Sequence, residues 1–145
     1  MISILTGISS TASALNAERI RMEVIAQNIA NANTTHALDG KPYQRQTVVF
    51  EKVLRQQQAS GSSSGVQPQT IEVPRVERDH RPPRLIPMPG HADADANGMV
   101  AVPDINIHEE MADYIVASRS FEANLAVVKN ARSIALQTLG IGKRA

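Results

Sequence analysis

The feature that most constrains the fold is an apolar stripe along the C-terminal part of the chain, which advances in steps of three and four residues. Residues with this spacing lie on one side of an α-helix, and a stripe this narrow is typical of a helix that packs against one or two others. At a rise of about 1.5 Å per residue, the stripe predicts a helix of about 50 Å. It comprises Ile107, Met111, Tyr114, Ser118, Phe121, Leu125, Val128, Arg132, Ala135 and Leu139.

Both ends of this helix carry sequence signals. Asn106 can cap the first turn, and Glu109 three positions later makes a variant of the capping box. Acidic residues in the first turns complement the helix dipole, so we interpret Glu109 and Glu110 as helix-start charges. Gly140 is predicted to end the helix.

A second stripe predicts a helix over residues 4–32, near the other end of the chain. Glu18 interrupts this stripe, but Ala14 and Ala17 beside it allow the seam to close around the carboxylate. A polar run that starts at Asn31 predicts the end of the helix. The stripe comprises Ile4, Ile8, Thr11, Leu15, Met22, Ile25 and Ile29.

The segment between the helices has a different character, because it holds all eight prolines and short runs of β-branched residues. It is predicted to form a small β-rich module with a flexible loop over residues 56–65. Asn97-Gly98 predicts a tight turn, and Pro68 and Pro74 restrict the second strand to an edge. The expected strands or extended segments are Tyr43–Val53, Val66–Val76, Arg84–Gly90 and Met99–Val102.

The predicted fold is therefore mainly α with a small β-rich insert, and the two long terminal helices form a coiled-coil-like pair. The expected parts are an N-terminal helix within residues 1–36, a middle module over 37–105 and a C-terminal helix within 106–145. An antiparallel hairpin alone would leave both stripes half covered, so seams shared with neighbouring subunits bury more apolar surface. A soluble helical adaptor or chaperone-like dimer would carry the same stripes and stays an alternative.

Composition excludes several classes of function. Hydrophobic residues make up 42% of the 145 residues and aromatic residues only 3%, which suits helix-on-helix packing better than a compact enzyme core. Formal net charge is +1, and acids and bases nearly balance in each of the three parts, so we expect no nucleic-acid binding. Cysteine is absent, which excludes disulfides and thiolate metal sites. The first residues lack the pattern of a cleaved secretory signal, so any export is expected to proceed without one.

One segment imitates a calcium loop. Asp93-Ala-Asp95-Ala-Asn97-Gly98 supplies oxygen ligands at alternate positions, and Asp104 falls at the twelfth. However, prolines stand where both flanking helices would run, and a twelfth-position Asp reaches less far than Glu. A calcium-binding module over residues 93–104 is kept as an alternative to a plain Asn-Gly turn.

No convergent catalytic set is apparent. The histidines at positions 36, 80, 91 and 108 are scattered and expected to face solvent. Ser118 and Ser120 have no nearby base, and there is no glycine-rich phosphate loop. The sequence therefore predicts no enzyme activity, no cofactor, no bound metal and no small-molecule substrate.

Several motifs resemble those of the flagellar basal-body rod and hook protein family. The segment Leu15–Asn33 ends in an A-x-N-[LI]-A-N run, and Ala117–Asn124 followed by Leu136–Leu139 is similar to the matching helix at the other end. The short length, with no large inserted domain, resembles the proximal rod members. Further matching segments are Asp39–Tyr43 with Val48–Phe50, and Asp95–Gly98 with Val102–Asn106.

The resemblance implies a structural subunit that polymerises through its terminal helices and transmits torque. It implies partners among copies of itself, other rod proteins, and export-gate and basal-body ring components. It also implies export through the flagellar type III apparatus and a place in the periplasm-spanning rod. Motif positions expected at helix–helix contacts are Asn28, Asn31, Arg119, Phe121 and Asn124.

Overall fold

The computed structural model describes residues 2–37, 39–55 and 69–142. Along the chain, two small antiparallel sheets lie between two long helices. This confirms the expected order of a helix, a β-rich part and a helix. The predicted loop over residues 56–65 lies outside the described residues. The elements are α1 (Ile2–Ala30), β1 (Gln46–Arg55), β2 (Gln69–Arg78), β3 (Arg84–Pro87), β4 (Met99–Val102) and α2 (Ile107–Gly142).

The two helices pack against each other in antiparallel directions. Asn28 near the end of α1 contacts Glu110 at the start of α2, and Arg21, about two turns earlier in α1, faces Asp113. Ala17 of α1 and Ala117 of α2 are both fully buried, at 1% and 0% exposure. Small side chains at buried positions of two packed helices permit a close approach of their backbones.

The first helix is the central element of the fold. It contacts α2, β1 and β2, whereas α2 contacts α1 and, within the described ranges, no strand. The first helix is therefore covered along two sides, while α2 is covered along one. This asymmetry decides which apolar side chains remain exposed.

The β1–β2 ribbon is a two-stranded antiparallel sheet that lies against α1. Gln46 pairs with Arg78 at one end, and Phe50 pairs with Pro74 near the middle. Proline has no N–H to donate and is therefore confined to edge strands. Both strands of this two-stranded ribbon are edges, so the position of Pro74 agrees with the prediction that it restricts the second strand to an edge.

The second sheet carries a small apolar core next to the start of α2. Val100 and Val102 of β4 are buried, as is Ile105 after it. The predicted turn before β4 is confirmed. Gly98 has a positive φ of 73°, which glycine adopts without a Cβ clash, and its amide donates to the carbonyl oxygen of Asp95 at 2.9 Å.

The start of α2 agrees with the sequence signals, and its end does not. Asn106 caps the helix, because its Oδ1 accepts a hydrogen bond from the His108 amide at 3.1 Å. The prediction that Gly140 ends the helix is wrong, since α2 continues to Gly142. Gly140 is not among the glycines with positive φ, so it lacks the left-handed turn by which glycine usually stops a helix.

Candidate helix-packing interface

Most side chains of the predicted α1 stripe are half-buried. Ile25 is buried, and five further members are half-buried. Ile4 belongs to α1, but its side chain lies outside the described ones. Asn31 is also half-buried, just after the helix. The half-buried members are Ile8, Thr11, Leu15, Met22 and Ile29.

The side of α2 that faces α1 is displaced by about one residue from the predicted stripe. Glu110 and Ala117 are buried, and Asn124 one heptad later is half-buried. Large apolar residues of the predicted stripe therefore point elsewhere in the first turns, with Met111 53% and Tyr114 42% exposed. Ile107 and Leu139 are exposed, as is Arg119, while Ser118, Phe121, Leu125 and Val128 are half-buried.

The uncovered surface of α2 is strongly apolar. Among the described side chains, ten of the fifteen exposed large hydrophobic residues lie on α2 and none on α1. Val116, Val127, Ile134 and Ile141 follow one another at intervals of eleven and seven residues, which places them on one side of the helix. The exposed set on α2 is Ile107, Met111, Tyr114, Ile115, Val116, Val127, Ile134, Leu136, Leu139 and Ile141. Apolar surface of this kind marks an interaction site.

A buried polar group lies behind this interface, and we call it the Asn28 cluster: Asn28, Tyr43, Arg45, Gln46 and Glu110. The Asn28 side chain is 1% exposed. Its Oδ1 accepts bonds from the Gln46 amide at 2.9 Å and the Tyr43 hydroxyl at 3.1 Å. Its Nδ2 donates to the Gln46 carbonyl at 2.8 Å and to Glu110 Oε2 at 3.0 Å. All four hydrogen-bonding positions of the amide are therefore used.

Glu110 joins the cluster to the middle module. It is 1% exposed, and its second oxygen accepts a bond from Arg45 Nε at 2.6 Å. Interpreting Glu110 only as a helix-start charge was therefore wrong, because it is a buried carboxylate with two partners. Burial raises the pKa of the Tyr43 hydroxyl, and the nearby negative charge of Glu110 raises it further.

A chain of ion pairs continues outward from Arg45. Arg45 lies 4.0 Å from Asp79, Arg81 Nε donates to Asp79 at 2.7 Å, and Arg81 also reaches Asp104 at 3.4 Å. Hydrogen bonds from Arg81 lower the pKa of the Asp79 carboxyl, and the same contact raises the pKa of Arg81. The chain ties the end of β2 to the segment that precedes α2.

Glu18, the break in the first stripe, is held near a second arginine. Its Oε2 lies 3.8 Å from Arg21, which also approaches Asp113 of α2 at 3.9 Å. This buried oxygen has no hydrogen-bond partner among the described residues. One arginine is thus shared between two carboxylates where the helices meet.

The described residues contain no group of three His, Asp or Glu side chains able to hold a metal ion. All four histidines are exposed, as expected. His36 and His91 approach Asp93 at 3.8 and 3.9 Å and so connect two loops. In the segment that imitates a calcium loop, Asp95 Oδ1 accepts bonds from the amides of Asn97 and Met99, both at 2.8 Å. Within the described part of the chain, neither helix is both long and apolar enough to span a bilayer.

The sequence reasoning missed the link between Asn28 and Glu110. Asn28 was expected at a helix–helix contact, but its partner was not identified. A usable signal existed, because Glu110 lies seven residues before Ala117 and fourteen before Asn124. Asn124 was expected at a helix–helix contact, but Glu110 and Ala117 were passed over in favour of the larger apolar side chains beside them.

Comparison with known proteins points to one family. A family model described as flagella basal body rod protein matches residues 8–37, and one described as flagellar basal body rod FlgEFG protein C-terminal matches residues 96–141. The flagellar basal-body rod protein FlgC of Yersinia enterocolitica is 35% identical, over 98% of this chain and 100% of that protein. FlgC of Salmonella typhimurium is 37% identical, over 90% and 92% of the two chains. FlgC of Bacillus subtilis is 31% identical, over 94% and 96%.

Proposed function

This chain belongs to the FlgC family of flagellar basal-body rod proteins, and from that membership we propose that it polymerises through its two end helices and so transmits torque. It is a structural subunit of the rod and not an enzyme.

The observation that carries the proposal is the uncovered apolar surface of α2. Among the helices and strands of the described ranges, α1 is the only one that α2 packs against, yet α2 exposes Val127 by 54%, Ile134 by 58% and Leu136 by 58%. Burying the exposed part of each such side chain is worth about 1 kcal/mol. A neighbouring subunit that covers this surface therefore stabilises both the helix and the assembly.

The partners best suited to this surface are further copies of the chain and other rod proteins. Contacts that join different faces of identical subunits generate rings when the rotation between neighbours closes and open helical assemblies when it does not, and we propose the open kind here. We assign this role to the helices of residues 1–36 and 106–145, which would form a coiled-coil-like layer. The middle module of residues 37–105 would face outward. The predicted interface residues on both helices, from Ile4 to Leu139, retain this assignment.

Family membership also supports a proposal for the finer localisation. We propose export by the flagellar type III apparatus and assembly in the part of the rod that crosses the periplasm. The export gate and the basal-body rings are then the neighbouring structures that the subunit meets. Subunits from cells would co-purify with these components, and an isolated complex that lacks them would contradict this assignment.

The surface can be tested with two glutamate substitutions three residues apart on α2. Ile134→Glu places a charge on the apolar surface, whereas Gln137→Glu adds the same charge at an exposed polar position. We expect both variants to remain helical by circular dichroism. Only Ile134→Glu should abolish rod assembly and swimming.

Normal swimming of a strain that carries Ile134→Glu would rule out this surface as the interface. Light scattering of the purified chain distinguishes the proposed rod subunit from the remaining alternative, a soluble helical adaptor or chaperone-like dimer. A discrete helical dimer that never enters a longer assembly would favour an adaptor.

A further inference from the structure

The side chain of Asn28 occupies the place of a neighbouring strand. It bonds the amide of Gln46 at 2.9 Å and the carbonyl of the same residue at 2.8 Å. Antiparallel strands exchange the same pair of bonds between opposite residues. Gln46 is the first residue of β1 and pairs with Arg78 across the ribbon. The first residue of β1 is therefore fastened to α1 by one buried amide.

Glu110 favours the same orientation of this amide as Gln46 does. Its Oε2 lies 3.0 Å from Nδ2 of Asn28, so the flipped amide would direct Oδ1 at a carboxylate oxygen. The flipped amide would also lose both bonds to Gln46, because donor and acceptor would exchange places. Only the observed orientation satisfies Glu110 and Gln46 together.

Glu110 also holds the strand through a second route. Its Oε1 accepts the bond from Arg45, the residue that precedes Gln46 in the chain. The carboxylate is 1% exposed, and a buried charge without partners is strongly unfavourable. Glu110 is therefore compatible with its site only while both Asn28 and Arg45 are in place.

These contacts require the two helices to be packed. Glu110 lies in the first turn of α2, and Asn28 lies in the last turn of α1. Separation of the helices would remove the carboxylate from the amide and from Arg45 at once. Hydrogen-bonded groups of this kind gain or lose their bonds together.

We propose that Glu110 is the positioning residue of a latch, formed by the Asn28 cluster, that fastens the middle module to the helices only while α1 and α2 are packed together. The proposal rests on the contacts of the cluster and not on the function proposed above. Helix pairing and module orientation are then one event: the unpaired chain has a loosely attached module, and the paired chain holds it in one orientation.

Hydrogen exchange of the Gln46 amide reports the latch directly, because this amide donates to Asn28. The full chain would be compared with Glu110→Ala and with the matched control Glu109→Ala, an exposed neighbour in the same helical turn. In Glu110→Ala, exchange at Gln46 should accelerate by roughly tenfold, while the buried helical amide of Ala117 stays unchanged. Glu109→Ala should alter neither.

Two results would overturn the latch. One is unchanged exchange at Gln46 in Glu110→Ala, and the other is an equal acceleration at Ala117, which would mean that the whole fold loosens. If Glu110→Ala does not fold, Glu110→Gln decides the question. Gln keeps the size and one acceptor, so it should lose one of the two bonds and accelerate Gln46 by a smaller factor, and no change at all would overturn the proposal.

Discussion

Asn28 and Glu110 share a hydrogen bond of 3.0 Å although 82 residues separate them in the chain. Asn28→Ala removes this bond and leaves the Gln46 backbone and the Tyr43 hydroxyl without their partner. We expect a loss of about 2–4 kcal/mol in the free energy of unfolding, because several buried polar groups become unpaired. Chemical denaturation measures this loss.

The matched control is Asn16→Ala, which replaces an exposed asparagine on the same helix whose Oδ1 accepts a bond from Arg19 at 3.0 Å. Its effect should stay within about 0.5 kcal/mol. Equal effects of the two substitutions would show that burial of the Asn28 cluster adds nothing to stability.

The close approach of α1 and α2 depends on small side chains. Ala117 is 0% exposed, so Ala117→Leu must push the helices apart or force strained rotamers. Overpacking of this kind costs about 1–3 kcal/mol. Ala126→Leu on an exposed position of the same helix should leave the midpoint of thermal unfolding nearly unchanged. A stable Ala117→Leu variant would mean that the helices do not meet closely at this level.

Acid should weaken the ion pairs around Asp79. Hydrogen bonds from Arg81 lower the pKa of this carboxyl in the folded chain. A lowered folded pKa means that the stabilisation is present above the unfolded pKa of about 3.9 and is lost as the pH falls through the folded value. Arg81 stays protonated throughout this range, so the loss of stability comes from protonation of the Asp79 carboxylate. Asp79→Asn should flatten the pH dependence of the unfolding midpoint below pH ~4, and an unchanged acid limb would contradict this.

Two glycines should respond to alanine in opposite directions. Gly98 has a φ of +73°, a conformation that costs a residue with a Cβ about 1–2 kcal/mol. Gly7 lies inside α1, and among the described residues no atom beyond its chain neighbours and the nearby backbone of its own helix lies within 4 Å of an added Cβ, so Gly7→Ala should stabilise the helix by about 0.5–1 kcal/mol. Thermal unfolding of both variants tests this, and a stabilising Gly98→Ala would show that the turn can adopt another conformation.

Local rules predicted much of this fold. Periodicity located both helices, Asn106 identified the start of α2, and Asn97-Gly98 marked the turn before β4. These signals succeed because each depends on a few neighbouring residues. The end of α2 was not predicted, because Gly140 permits a helix to stop but does not require it to.

The facing side of α2 could not be predicted from the largest apolar residues. A close helix crossing selects Ala117, and a buried polar bond selects Glu110, so neither belongs to a stripe chosen for bulk. The contact between Glu110 and Asn28 joins distant parts of the chain, and no local pattern specifies it. For the same reason, Tyr43 and Arg45 were not expected in the candidate site.

Because α2 is covered along only one side, the stability of the folded chain should depend on the concentration of the molecules that bind its other side. Part of the free energy that holds the helix in place is to be supplied by molecules that cover its other side, and any such binding stabilises the folded state in proportion to the logarithm of their concentration. We therefore expect the melting temperature of the purified chain to rise with its concentration. A dilute subunit would be the least stable, and each added neighbour would raise the temperature at which its α2 unfolds.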